Sequence, residues 1–141
     1  MGKTLPGCPI VGYYRQDWED YEEHSTKIEI THDDFKVVDL TKPYGFVDIN
    51  AKVWFQKFLD DNNAEREYLV TEGYLWTEAF PEAQRIITKG NNQSMELSEK
   101  NLNGHWSTID GSTNEFFIIN EAFIEKLCIL GENIEPCFEG A

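Results

Sequence analysis

Residues 68–97, YLVTEGYLWTEAFPEAQRIITKGNNQSMEL, constrain the fold more than any other stretch, because their apolar period changes twice. Tyr68 to Trp76 is rich in aromatic and β-favouring residues, which suit a pleated, half-buried surface. Gly73 inside it signals a bulge or a close backbone approach. Pro81 then stands where a first helical turn tolerates a missing N–H, and Ala83, Ile86 and Ile87 recur at helical spacing. Gly90 stops the helix, and Gly90-Asn91-Asn92 make a tight turn. Gln93 to Leu97 alternates again. As a strand it places Ser94 and Glu96 on one face and Gln93, Met95 and Leu97 on the other. The stretch is therefore predicted to run strand, helix, turn, strand.

Elsewhere the alternation is mainly that of strands. An extended arm opens the chain from Met1 to Gly12, with a short strand expected over Cys8 to Tyr14. The acidic run Asp17 to Glu23 is expected as a solvated loop. Lys27 to Ile30 and Phe35 to Leu40 read as strands, Lys42 to Gly45 as a break, and Phe46 to Ile49 as a resumed strand. Trp54, Phe55, Phe58 and Leu59 form one helical stripe after a capping Asn50, which predicts a helix over 51–59. Asp110-Gly111-Ser112 reads as a hairpin turn before a strand at Glu115 to Ile119. Residues 120–130 are expected as a helical turn followed by a strand. The fold class predicted is α+β, mostly antiparallel, with two or so helices in one domain.

With 141 residues the chain is long enough for one domain with a real core. Aromatics at 13% argue against disorder despite a formal charge of −14. That charge argues against a nucleic-acid surface, which needs a basic stripe, and against adhesion to an anionic membrane. No apolar run approaches a membrane span, and no signal peptide opens the chain. Cys8, Cys128 and Cys137 are odd in number and irregularly spaced, so a reduced, intracellular protein is expected rather than a disulfide framework.

Neither a metal nor a cofactor is predicted. His24, His32, His105 and the three cysteines form no close ligand pair, and no phosphate-binding glycine motif occurs. A serine nucleophile needs a base within hydrogen-bond reach, and histidine is the side chain suited to that near neutral pH. Ser25, Ser94, Ser98, Ser107 and Ser112 all qualify by type, and spacing alone does not choose among them. A polar residue at a strand entrance is the plainer reading of Ser94.

One ordered set of segments goes further. Pro9-Ile10-Val11-Gly12-Tyr13 is followed by Asp20-Tyr21-Glu22-Glu23-His24, then by Lys42-Pro43-Tyr44-Gly45-Phe46-Val47. Next come Tyr68 to Trp76, Gln93 to Leu97, Leu127-Cys128-Ile129-Leu130-Gly131 and Glu135 to Ala141. Over nearly the whole chain this order resembles the prohead (capsid maturation) serine proteases of tailed phages and prophages. The resemblance implies one domain over residues 1–141, built as a compact, mostly antiparallel β-barrel flanked by a few helices. It implies a serine endopeptidase that cleaves scaffold and capsid-protein segments inside an assembling head, in the cytoplasm of a bacterial host. By the same resemblance Ser94 matches the nucleophile, His24 the base, and Glu125 the third catalytic member, with Glu121 close by and His32 the fallback base.

Its implied partners are phage capsid and scaffold proteins, and possible further copies of the chain, with no nucleic acid and no membrane. The negative charge would favour basic segments of those partners. Departures from the pattern are equally specific. Many relatives place the histidine shortly before the Pro-x-Gly matched by Pro43-Tyr44-Gly45, where this chain has Val38 and Asp39. The long scaffold segment that often follows the protease domain is absent, as in a trimmed piece of a longer reading frame. The missing histidine before Pro43 favours an alternative: a protease-derived capsid-assembly or scaffold protein without catalysis. A third reading is an acidic binding module with Trp18, Trp54, Trp76 and Trp106 on a ligand face, although Trp54 and Trp76 are expected in the core.

Overall fold

The structure, a computed structural model, describes residues 5–60, 62–108, 111 and 113–137. Among them the chain forms twelve strands and a single α-helix, with one 3-10 turn at Glu99–Asn101. The buried apolar side chains are arranged about β1 (Pro9–Arg15). One side of β1 pairs antiparallel with β5 (Lys42–Phe46), and its Ile10-Val11 segment pairs parallel with β12 (Ile124–Ile129). Beyond these lie β8 (Tyr74–Leu75) on β5 and β9 (Gln93–Leu97) on β12, while β2 (Asp20–Glu22) pairs with the far end of β1.

The helix α1 (Pro81–Lys89) covers one face of this sheet. Pro81 opens it, and Gly90 follows it with φ 77 and an N–H donated to the Ile86 carbonyl, as the sequence predicted. Ala83 is its fully buried contact, packed with Tyr21, Tyr44 and Ile129. Four rings continue this core as a chain of edge contacts: Tyr14 to Tyr21 at 5.3 Å, Tyr21 to Tyr44 at 5.3 Å, and Tyr44 to Phe80 at 5.1 Å. Such pairs add about 0.5–1.5 kcal/mol each beyond the area they bury. Tyr44 donates to Glu82 at 3.0 Å, so its polar end is bonded where its ring is enclosed. The opposite face of the sheet holds Val11, Cys128 and Leu130, covered by Ile134 from the C-terminal segment.

Close backbone approach explains two glycines of the sheet edge. A Cβ on Gly45 would lie 1.8 Å from the Tyr74 carbonyl oxygen, and one on Gly73 would lie 2.7 Å from Ile10 Cδ1. The reading of Gly73 as a close approach is therefore met.

The remaining six strands pair off in isolation. β3 (Thr26–Ile30) pairs with β4 (Phe35–Asp39), β6 (Val53–Leu59) with β7 (Glu65–Thr71), and β10 (Asn103–Thr108) with β11 (Glu115–Glu121). Each pair is a two-stranded ribbon separate from the central sheet.

This overturns the predicted barrel flanked by helices. The fold is mostly β, its sheets are small, and none of them closes into a barrel. Closure requires each strand to find a neighbour on both sides. Here half the strands are satisfied by their own hairpin partner, and the central sheet ends at β8 and β9. The helix predicted over 51–59 is strand β6. Its stripe of Trp54, Phe55, Phe58 and Leu59 is equally good strand composition, and a local turn decides the matter. Asp60 accepts backbone N–H bonds from Asn62 and Ala64, at 2.9 and 2.8 Å, folding β7 back onto β6.

Smaller corrections follow the same logic. Lys42 to Gly45 is strand rather than break. The acidic run is not wholly a loop, because Tyr21 within it is 1% exposed and drives β2 into the sheet. No helical turn precedes β12. Trp76 is exposed, not core, and stacks at the surface beside Phe46 at 5.9 Å. Asp110 and Ser112, expected in a hairpin turn, lie outside the described residues, but the hairpin they were predicted to close is present.

Candidate functional site

Strand β9 delivers Ser94 and Glu96 to the sheet face opposite α1, as period-two alternation requires. Cys128 stands directly across from Ser94 in the β9–β12 register, and Lys126 stands across from Glu96. Four charged or titratable side chains meet at this point. Lys126 donates to Glu96 at 3.0 Å and to Asp39, and His24 Nδ1 donates to Glu96 Oε1.

The chain reaches this cluster through the root of the first ribbon. His24 lies just before β3, and Asp39 is the last residue of β4. Leu40 donates its N–H to the Ser25 carbonyl at 2.8 Å, closing the root between them. Burial alone would raise the Asp39 carboxyl, but bonds from Lys126 and Thr41 outweigh it and hold the group below the usual range. Burial likewise disfavours the Lys126 ammonium, and the Asp39 and Glu96 carboxylates overcome it and push its pKa up. The arrangement is an ion-pair clamp that pins a hairpin root to a sheet.

Ser94 itself is 9% exposed. Among the described residues none of the hydrogen bonds joins it to a histidine. His24 is held on Glu96, one alternation further along the same face. His32 sits exposed in the turn between β3 and β4. His105 is exposed on β10, its Nδ1 3.2 Å from the Asn120 amide nitrogen. Glu125 falls where the β9–β12 register shifts, is exposed, and makes no ion pair or hydrogen bond with His24 among the described residues. His24 thus meets Glu96, which shares a strand face with Ser94, and Glu125 bonds to none of the three among the described residues.

Asp39 and Lys126 are the cluster members that sequence reasoning missed. No local pattern marks them, because Asp39 and Lys126 are 87 positions apart and meet only through the fold. The neighbouring thiol is no substitute nucleophile, since burial pushes Cys128 up to about 12 and keeps it protonated.

No group of three or more metal-ligating side chains gathers among the described residues. No helix there is long and apolar enough to cross a membrane. Concavities also mark the described surface. A shallow one of about 530 Å³ is lined by Asp48, Lys52, Trp54, Glu72 and Tyr74 among others. A smaller one of about 240 Å³ lies between Trp18, Tyr21, Arg85 and Glu132.

Large apolar side chains are exposed on all three ribbons. Ile28, Ile30, Phe35 and Val37 are exposed on the first, Phe55, Phe58 and Leu59 on the second. On the third are Trp106, Phe116, Phe117, Ile118 and Ile119. Monomeric proteins seldom leave such patches uncovered, and isolated two-stranded hairpins are at best marginally stable in water.

Compared with known proteins, the chain matches no curated protein and no solved structure. A family model does match it, described as the YonD N-terminal domain, and the match runs over residues 1–141. The chain belongs to the YonD N-terminal domain family.

Proposed function

We propose that this domain is a non-catalytic assembly module, a small sheet that presents β-ribbons to protein partners. The observation that carries the reading is the set of three ribbons whose aromatic and aliphatic side chains have no cover within the described chain. The state of Ser94 supports it: a buried hydroxyl with no histidine bonded to it, beside a histidine already committed to Glu96. The resemblance of the ordered segments to prohead proteases supports phage capsid and scaffold proteins as the partner class, within a bacterial host cell. Further copies of the chain belong to the same class of partner.

A serine endopeptidase is the second reading, favoured by one observation. Ser94 and Glu96 share a strand face, and His24 sits on Glu96, so base, carboxylate and serine are close neighbours. Catalysis would require the imidazole to leave Glu96 and reach the Ser94 Oγ within about 3.2 Å.

A fluorophosphonate probe separates the two. The assembly reading expects no labelling of the full chain above that of Ser94→Ala. Labelling at Ser94, abolished in Ser94→Ala and in His24→Ala, would establish the protease instead.

A further inference from the structure

The first ribbon has an unbroken ladder. β3 and β4 pair from Thr26–Asp39 to Ile30–Phe35 with no shift of register, so alternation holds along its whole length. Ile28, Ile30, Phe35 and Val37 share one face, and Lys27, Glu29, Lys36 and Val38 share the other. Lys27 and Glu29 meet at 2.7 Å, as next neighbours on one face can. Every residue of β3 is exposed, and its outer edge is unpaired among the described strands.

Main-chain bonds show which groups that edge offers. At one end of the ribbon Leu40 donates its N–H to the Ser25 carbonyl, and at the other Thr31 donates to the Asp34 carbonyl, both at 2.8 Å. Ser25, Lys27, Glu29 and Thr31 thus turn their peptide groups toward β4. Thr26, Ile28 and Ile30 turn theirs outward, because peptide groups alternate along a strand. An added antiparallel strand must bond to these residues, so its register can change only in steps of two.

Charge chooses among the registers in which β3 pairs with β3 of a second copy. Ile28 opposite Ile28 of the copy sets Lys27 against Glu29 of the copy, and Glu29 against its Lys27. Both are non-hydrogen-bonded positions, where facing side chains lie closest. Ile28 opposite Thr26 of the copy would set lysine against lysine, and Ile28 opposite Ile30 would set glutamate against glutamate. Opposite charges across a ladder stabilise it and like charges oppose it. A lysine on an edge guards against indiscriminate pairing. Here the same lysine that refuses the neighbouring registers supports the central one. Among the ribbon strands β3 alone sets one lysine and one glutamate symmetrically about its centre. β4 offers no match, since pairing about Val37 would set Phe35 against Asp39, which is already bonded to Lys126.

We infer that two copies of this chain join antiparallel through β3, about a two-fold axis at Ile28, into one four-stranded sheet ordered β4–β3–β3–β4. Each copy gives the other what a lone hairpin lacks, a third and a fourth strand beside a continuous apolar face. The edge is 5 residues long, which places the dimer among weak, concentration-dependent contacts. The inference rests on the assembly reading and names one partner, the chain itself, with the strand and register it uses.

Sedimentation equilibrium of the full chain over a concentration series reads the association, and amide exchange locates it. The expected result is a reversible dimer in which the Thr26, Ile28 and Ile30 amides slow as concentration rises. Lys27→Glu and Glu29→Lys should each weaken self-association about tenfold, because each sets like charges opposite. An equimolar mixture of the two variants should regain wild-type association, since every facing pair is then opposite in sign. Ile28→Pro removes an outward N–H that the ribbon's own ladder does not use, so it should abolish the dimer and leave the central-sheet resonances in place. A chain that stays monomeric up to about 1 mM would overturn the inference. Stronger association of Glu29→Lys would overturn it too, because it would report the lowered net charge instead of the facing pairs. So would a dimer indifferent to both single variants, a mixture that does not recover, or protection confined to another strand. None of these outcomes touches the Ser94 labelling test, on which the assembly reading stands or falls.

Discussion

The central sheet and the three ribbons use similar residues to opposite ends. In the sheet, Tyr21 and Tyr44 are enclosed by α1 and by each other. On the ribbons, Trp106 is 66% exposed and Ile30 is 83% exposed. The sheet buries side chains on both of its faces, whereas each ribbon has only its own partner strand. A hydrophobic strand is thus not by itself a core strand. What decides is whether another layer lies within reach, and the described residues have only one helix to offer.

That contrast ranks the expected effects of substitution. Tyr44→Ala should be the most damaging, because it removes two ring contacts and opens a void beneath α1. A loss of about 3–5 kcal/mol of unfolding free energy is expected, read from urea denaturation. A loss below about 1 kcal/mol would mean that the aromatic chain is not the core.

Next comes the clamp joining a ribbon root to the sheet. Lys126→Met leaves the Asp39 and Glu96 carboxylates without their cation. Because both carboxylates are partly exposed, the cost should be about 1–2 kcal/mol. Its pH dependence follows from the directions of the shifts. The Asp39 carboxyl lies below its ordinary 3.8 in the folded chain, so its contribution is present above that pH and fades as pH falls through the depressed value. The Lys126 ammonium lies above its ordinary 10.5, so its contribution is present below that pH and fades only in stronger alkali. The gap between wild type and Lys126→Met should therefore be flat near neutrality and shrink in strong acid. A gap that persists at pH 2 would show that the methionine acts through packing rather than charge.

Ser94→Ala should change stability by about 1 kcal/mol or less, since the hydroxyl holds up none of the cluster's bonds. Thermal melting checks this, and a large loss would reveal a structural role for the Oγ. Smallest of all should be Ile30→Thr on the first ribbon, within about 0.5 kcal/mol. A larger effect in the isolated chain would mean that the ribbon is already covered.

Much of the sheet was legible in the sequence. Pro81 and Gly90 bounded α1, and the alternation of Gln93 to Leu97 put Ser94 and Glu96 on a common face. Lys27 to Ile30, Phe35 to Leu40 and Glu115 to Ile119 were readable as strands for the same reason, the second ending one residue earlier at Asp39. The stripe at Trp54 to Leu59 was not, because four large apolar residues fit a helix face and a strand equally well. Only the turn at Asp60 resolves them. Sheet order was illegible too: pairing β1 with β12 joins the two ends of the chain, and no local pattern encodes that contact.

Of the candidate site, the shared strand face of Ser94 and Glu96 was legible; that Glu96 would take His24 and Lys126 was not. Sequence spacing proposes which residue types are present and leaves open which of them will bond to one another. Here the carboxylate of Glu96 takes the imidazole, and the serine stays apart.

Amide hydrogen exchange of the full chain in dilute solution tests the division between sheet and ribbons most directly. The account predicts slow exchange at β1, β5 and β12, and near-unprotected amides along β3–β4, β6–β7 and β10–β11 until a partner strand is added. Ribbons as strongly protected as β1 in the free monomer would contradict it, because they would then be finished structure rather than surfaces awaiting a partner.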